Sequence, residues 1–249
     1  MSARAERVGG WRARIGVITP DDAINDDEYW QYVPEGVVLL VTRYRTAQRF
    51  DPISRGMVDA YAELGPIADA AETLRITRPD AIAFCCNSCS FVRGLSGDHA
   101  VTRAIEASGG AKAVTISSAQ LAALRALGAT SVAIGAPYPD EGTELLRRFL
   151  EESGFRVTAA RSLGLTSEWE IGNAPQSVWA DLARECDTPD ADSVLLACSG
   201  IRTSAILEPL ERELQKPVIS APAVVMWRAL RLAGVDALVG GRGLLFEKP

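Results

Sequence analysis

The chain has 249 residues, of which 47% are hydrophobic and 23% charged, with a formal net charge of −6. That length buries a sizeable core as one large α/β domain or two ordinary ones. The acidic balance shows no basic stripe of the kind phosphate backbones need, so no nucleic-acid partner is expected. No apolar run approaches a membrane span, and the start, MSARAERVGGWRARIG, lacks the apolar core of a secretory signal; the expectation is a cytoplasmic protein with no membrane association.

Taken in chain order, short apolar and β-branched runs alternate with helical patterns, the signature of a parallel sheet covered by helices. Strands are predicted at Ile15–Thr19, Val37–Val41, Ala81–Cys85, Ala113–Ile116, Ser131–Gly135, Arg156–Ala160, Ser193–Ala197, Pro217–Ser220 and Asp236–Val239. The segment SSAQLAALRALG predicts a helix capped by Ser118, with Leu121, Leu124 and Leu127 on its inner face and a stop at Gly128. DEGTELLRRFLEESG predicts another, with Leu145, Leu146, Phe149 and Leu150 in the core and a stop at Gly154. In TSAILEPLERELQ, Pro209 predicts either a kink or a first turn that ends before it.

An internal echo organises these elements. RIGVITPDD (14–22) is answered by SVAIGAPYPDE (131–141), and AIAFCCNSC (81–89) by SVLLACSG (193–200). Two similar α/β lobes are therefore expected, 14–117 and 118–230, with the tail 231–249 returning to the first lobe. Ligands of open parallel sheets bind beyond the carboxyl ends of the strands, where both cysteines and both Pro/Asp loops fall.

Five cysteines, an odd count without a secretory start, argue against a disulfide framework, so reduced thiols are expected. Three roles are open to CCNSC. Cys86 and Cys89 have the spacing of half a zinc site, but Cys186 and Cys198 are isolated from each other in sequence and His99 is the single histidine, so no metal is expected. The same C-x-x-C could be a redox pair in which Cys89 resolves Cys86. Alternatively Cys86 and Cys198, at equivalent positions of the echo, could face each other as catalytic thiols, one a nucleophile or base and the other an acid. Cys85 and Cys186 read as core filler.

The stretches NSCSFVRG, ISSAQLAALRALGATSVAIGAPYPDEGTELLRRFLEESGF, RSLGLTS and LLACSGIRTSAILEPLERELQKPVISAPAVVMWRALRLAG resemble the arylmalonate decarboxylase and maleate cis–trans isomerase family of the aspartate/glutamate racemase superfamily, over roughly residues 80–235. The resemblance implies two pseudo-symmetric α/β lobes, each a parallel sheet flanked by helices, with cofactor-independent catalysis at their interface. It implies that Cys198 donates a proton to the substrate carbon. Cys86 matches a position that is cysteine in the isomerases and racemases and glycine in the decarboxylases. In the maleate isomerases the thiolate there adds to the alkene, rotation follows, and the second thiol assists proton transfer. Pro20, Asn87, Ser88, Tyr138, Ser199 and Gly200 match substrate-binding positions, Tyr138 as a carboxylate-binding hydroxyl and Ser199 and Gly200 as amide donors.

Departures from the family concern charge. TPDDAIND places Asp21 and Asp22 where the isomerases have small residues and a carboxylate-gripping asparagine, and LTSEWEIG brings Glu168 near a second such position. These acids disfavour maleate if they face inward. Arg93 and Arg202 offer positive charge beside the two cysteine elements. The expected function is an isomerase or racemase of a small carboxylic acid, without cofactor or metal and homo-oligomeric as such enzymes commonly are. The alternatives are an arylmalonate-type decarboxylase relying on Cys198, or a binding protein without turnover.

Overall fold

Eight of the apolar runs form strands, and continuous apolar character suits them because both faces of each sheet are covered by helices. The structure, a computed structural model, describes residues 8–46, 52–236 and 239–248. In chain order the elements are β1 (Ala13–Pro20), α1 (Asp26–Trp30), β2 (Val37–Tyr44), α2 (Arg55–Tyr61), α3 (Leu64–Arg75), β3 (Ala81–Phe84), α4 (Asn87–Phe91), α5 (Gly94–Gly109), β4 (Ala113–Thr115) and α6 (Ile116–Ala126). The second half continues with β5 (Ser131–Ala136), α7 (Asp140–Glu152), β6 (Arg156–Ser162), α8 (Glu168–Asn173), α9 (Gln176–Cys186), β7 (Ser193–Leu196), α10 (Leu207–Leu214), β8 (Val218–Ser220) and α11 (Ala221–Leu232), and a 3-10 turn covers Leu244–Glu247.

The strands build two four-stranded parallel sheets of the same order, β2-β1-β3-β4 and β6-β5-β7-β8. The echo in the sequence is thus an echo in topology. It extends to single hydrogen bonds: the residue after β3 donates to β1 (Cys85 N to Ile18 O, 2.8 Å) as the residue after β7 donates to β5 (Ala197 N to Gly135 O, 2.8 Å). Each last strand also ends in a hydroxyl that caps the following helix. Thr115 Oγ1 accepts from Ser118 N at 3.0 Å and Ser220 Oγ from Ala223 N at 3.4 Å.

Several boundaries differ from the sequence expectation. Ser118 is not the cap of α6 but its third residue, and its hydroxyl accepts from Thr115 N at 3.2 Å in a reciprocal capping box. Pro209 neither kinks α10 nor follows its first turn. It is the third residue of the helix, where a backbone N–H has no intrahelical partner to lose. The ninth strand, Asp236–Val239, includes residues 237 and 238, which lie outside the described residues; Asp236 and Val239 are not in a strand.

Helix α6 runs across the expected boundary at 117/118, and α11 packs on α6 and on β3 and β4. Ala119, Ala123, Leu124, Val224, Val225 and Ala229 of these helices are buried in one cluster with strand residues of both sheets. The tail touches both halves: Phe246 stacks on Tyr32 with ring centroids 5.4 Å apart, Arg242 Nε donates to Gln31 O at 2.6 Å, and Leu244 N donates to Glu211 Oε2 at 2.9 Å. Among the described residues no helix is long and apolar enough to cross a membrane.

Candidate active site

Strands of a parallel sheet end together, so the loops after β1, β3, β5 and β7 meet at one end of the two sheets. There they form a pocket lined by Pro20, Cys86, Ser88, Tyr138, Cys198, Ser199 and Gly200 among others. Of the residues singled out by resemblance, Asn87 alone is not on that wall. It is 1% exposed and sits behind it. The acids do face inward in part, since Asp22 and Glu168 line the pocket. Asp21 is engaged by Tyr61 Oη at 3.0 Å and Arg45 Nε at 3.1 Å.

The two cysteine loops differ in chemical state. Cys86 and Cys89 are joined as a disulfide, which corrects the expectation of uniformly reduced thiols. The odd count argued only against a complete framework; it says nothing of two sulfurs one helical turn apart. Cys85, Cys186 and Cys198 are free and buried. Burial pushes the thiols of Cys85 and Cys186 up to about 12, in keeping with a packing role.

Cys198 is held by its surroundings in an unusual backbone conformation, with φ at +90°, a region that L side chains rarely occupy. Asn87 Oδ1 accepts from Cys198 N at 3.0 Å, from Gln120 Nε2 at 3.3 Å and from Tyr138 Oη at 3.4 Å. The side-chain oxygen of this asparagine, expected at a substrate-binding position, is directed to the second cysteine and the tyrosine. Gly200 N, expected to donate to substrate, donates to Cys198 Sγ at 3.3 Å. Burial raises the Cys198 pKa, the charge of Glu168 adds to this, and the Gly200 amide and Tyr138 hydroxyl oppose it; the upward shift dominates, so the group is a thiol at neutral pH. Tyr138, 4% exposed, is likewise raised, by burial first and then by Cys198 and Glu168.

The rest of the Cys198 loop is gripped by the first half of the chain. Asn25 Nδ2 donates to Ser199 O at 2.5 Å and Tyr29 Oη to the same oxygen at 3.4 Å. Buried Glu28 accepts from Thr203 N and Ser204 N, both at 2.8 Å, and from Tyr32 Oη at 2.8 Å. Arg202 pairs with both oxygens of Asp27 at 2.8 Å, donates to Ile24 O at 2.8 Å, and reaches Gly172 O. Arg93 donates to Ala62 O and Asp59 O at 3.0 and 2.9 Å. Neither arginine lines the pocket, so both are braces of the scaffold. Asn25, Glu28 and Tyr29 were missed from sequence. The one available signal was an asparagine shortly after the β1 proline, which here grips a carbonyl of the opposite loop.

No group of three or more His, Cys, Asp or Glu side chains among the described residues is arranged to hold a metal ion.

Paired parallel sheets of identical order, with a cysteine-bearing loop from each converging on one pocket, define a two-lobed α/β protein with a cysteine from each half in that pocket. Comparison with known proteins places it further. The arylmalonate decarboxylase family model matches residues 53–246. Arylmalonate decarboxylase of Bordetella bronchiseptica is 34% identical over 190 residues, 75% of this chain and 79% of that protein. Maleate isomerase of Nocardia farcinica is 31% identical over 188 residues, covering 73% and 72%. The fold matches the crystal structure of the maleate isomerase from Pseudomonas putida S16 with maleate at a TM-score of 0.87, over 95% of this chain and 98% of that one, at 21% identity. The chain belongs to the arylmalonate decarboxylase and maleate isomerase family, a family of enzymes.

Proposed function

We propose that the protein is a cofactor-independent isomerase or racemase of a small carboxylic acid, with Cys86 as nucleophile or base and Cys198 as acid. The observation that carries this reading is the presence of one cysteine from each half on the same pocket wall, with Cys198 kept in its protonated form. In the reduced enzyme the Cys86 thiolate adds to an alkene carbon and the displaced electron pair moves into the carboxylate as an enediolate. Cys198 delivers its proton to the adjacent carbon, rotation occurs about the new single bond, and reversal of both steps expels Cys86. For a racemase the same pair removes a proton from one face and returns one from the other. Tyr138 and Ser88 are among the wall hydroxyls that would bind the carboxylate. Asp22 and Glu168 on that wall favour a substrate other than maleate.

A second reading, decarboxylation of a substituted malonate with Cys198 protonating the enediolate, draws support from the 34% identity to the Bordetella enzyme. It is also supported by an apolar groove beside the site, lined by Ile53, Val58, Phe91 and Leu145 and sharing Ser88 and Tyr138 with it, whose apolar lining suits an aryl group.

Proton NMR in deuterated buffer separates the two, using maleate, aspartate, a 2-arylpropionate and phenylmalonate with the reduced wild type and the Cys86→Ala and Cys198→Ala variants. Isomerisation or deuterium exchange that disappears in both variants is the expected result. Carbon dioxide release from phenylmalonate that survives Cys86→Ala but not Cys198→Ala would overturn the first reading in favour of the second.

A further inference from the structure

Cys89 has no part in either reaction above, yet it is bonded to the residue that has one. Its Cα lies 5.5 Å from that of Cys86, within the span a disulfide bridges without backbone movement. Cys86 immediately precedes α4 and Cys89 is its third residue, so the turn of the helix itself brings the sulfurs together. Both sulfur-bearing residues line the pocket, open to the same small molecules as the substrate site. The remaining contacts of Cys89 are weak ones, Tyr44 Oη at 3.7 Å and Ser88 Oγ at 3.9 Å, and neither keeps its sulfur from Cys86.

Building on the two-thiol reading, we propose that Cys86 and Cys89 form a reversible redox modification site that switches the pocket between a state with a free thiol at Cys86 and a state without one. The oxidant is a hydroperoxide small enough to enter the pocket. The Cys86 thiolate attacks one peroxide oxygen, the O–O bond breaks, and hydroxide or alkoxide leaves with the bonding pair, giving a sulfenic acid. The Cys89 sulfur then attacks the Cys86 sulfur, the S–O bond breaks, and water departs with the Cys89 proton. Two thiols and one hydroperoxide thus yield one disulfide, one water and one alcohol or second water. A dithiol reverses the change by exchange and is left as its own disulfide. Cys198 has no part in the bond, so oxidation stops only the chemistry that needs a nucleophile at Cys86.

The test uses the purified full chain, reduced, then exposed to a small excess of hydrogen peroxide, with each sample divided between alkylation with peptide mapping and an isomerisation or exchange assay. The mapped Cys86–Cys89 bond is expected to track an at least about tenfold loss of wild-type turnover. Dithiothreitol restores it fully. In the Cys89→Ser variant the sulfenic acid at Cys86 has no resolving thiol and advances to sulfinic acid, so less than about half the turnover returns under the same reductant. Equal recovery in the two proteins, or full wild-type turnover while the bond is present, overturns the switch. Absence of the bond from the map, with reduced Cys86→Ala inactive, overturns the switch alone. Unimpaired isomerisation by reduced Cys86→Ala overturns the two-thiol reading together with it.

Discussion

The two cysteine loops leave equivalent strands at equivalent offsets, yet they are held in opposite ways. The first, after β3, is tied within itself by the Cys86–Cys89 bond, and its asparagine, Asn87, reaches outward to serve the other loop. The second, after β7, contains no tie of that kind. It is gripped from outside by Asn25, Glu28, Tyr29, Asp27 and Asn87, all from the first half. The two halves share one frame and differ in the contacts that hold their cysteine loops. A loop fixed by many donors and acceptors holds the Cys198 thiol at a strained φ of +90°, and burial, with the charge of Glu168, favours its protonated form.

The contrast breaks most severely at Asn87. Asn87→Ala leaves the buried Cys198 N–H without its acceptor and frees the Tyr138 hydroxyl, at a cost of about 1–3 kcal/mol in stability. Because Asn87 acts through Cys198 and does not line the pocket, kcat is expected to fall about 10- to 100-fold with KM little changed. Alkylation of Cys198 by iodoacetamide should become faster as its backbone relaxes. An unchanged kcat with a raised KM would return Asn87 to substrate binding.

A smaller effect sharpens the comparison at the helix caps. In the first half the cap hydroxyl of Thr115 donates to buried Asp98, where the second half has Thr203 donating to Ser220 at 2.7 Å. Burial raises the Asp98 carboxyl to about 6, against its ordinary 3.8. A folded-state pKa above the unfolded one means the native state binds the proton more tightly, so stability falls as pH rises from about 4 to about 6. Asp98→Asn keeps an acceptor for Thr115 and removes this loss. Thermal melts at pH 7.5 are expected to show the variant more stable by about 1–3 kcal/mol, with no gain at pH 4. An equal gain at both values would contradict an origin in ionisation.

Much of the frame was readable before any coordinates, because its signals are local. Apolar runs such as AIAF and SVLL report strands buried on both faces, and the repeated order of strand, cysteine and small polar residue exposed the duplication. What could not be read depends on contacts between distant segments. Glu28 looks like a surface acid in the run NDDEYW, and only the packing of α1 against the 203–204 turn makes it a buried acceptor. Arg202 and Arg93 looked available to substrate because sequence cannot show that carbonyls and Asp27 already occupy them. Nor could the sequence show that Gly200 N and Asn87 Oδ1 both form hydrogen bonds to Cys198.

The central claim, that the two thiols of one pocket divide into a nucleophile and an acid, is tested most directly by titrating the thiolate absorbance of the reduced protein from pH 6 to 10, in the wild type and in the Cys86→Ala and Cys198→Ala variants. Cys85 and Cys186, pushed up to about 12, stay silent across this range, and Cys89→Ser carried in every protein removes the third pocket thiol. The account predicts that the first thiolate to appear is lost in Cys86→Ala and retained in Cys198→Ala. A first thiolate that disappears with Cys198 instead would contradict it, because the buried thiol would then be the base and the assignment of the two roles would be reversed.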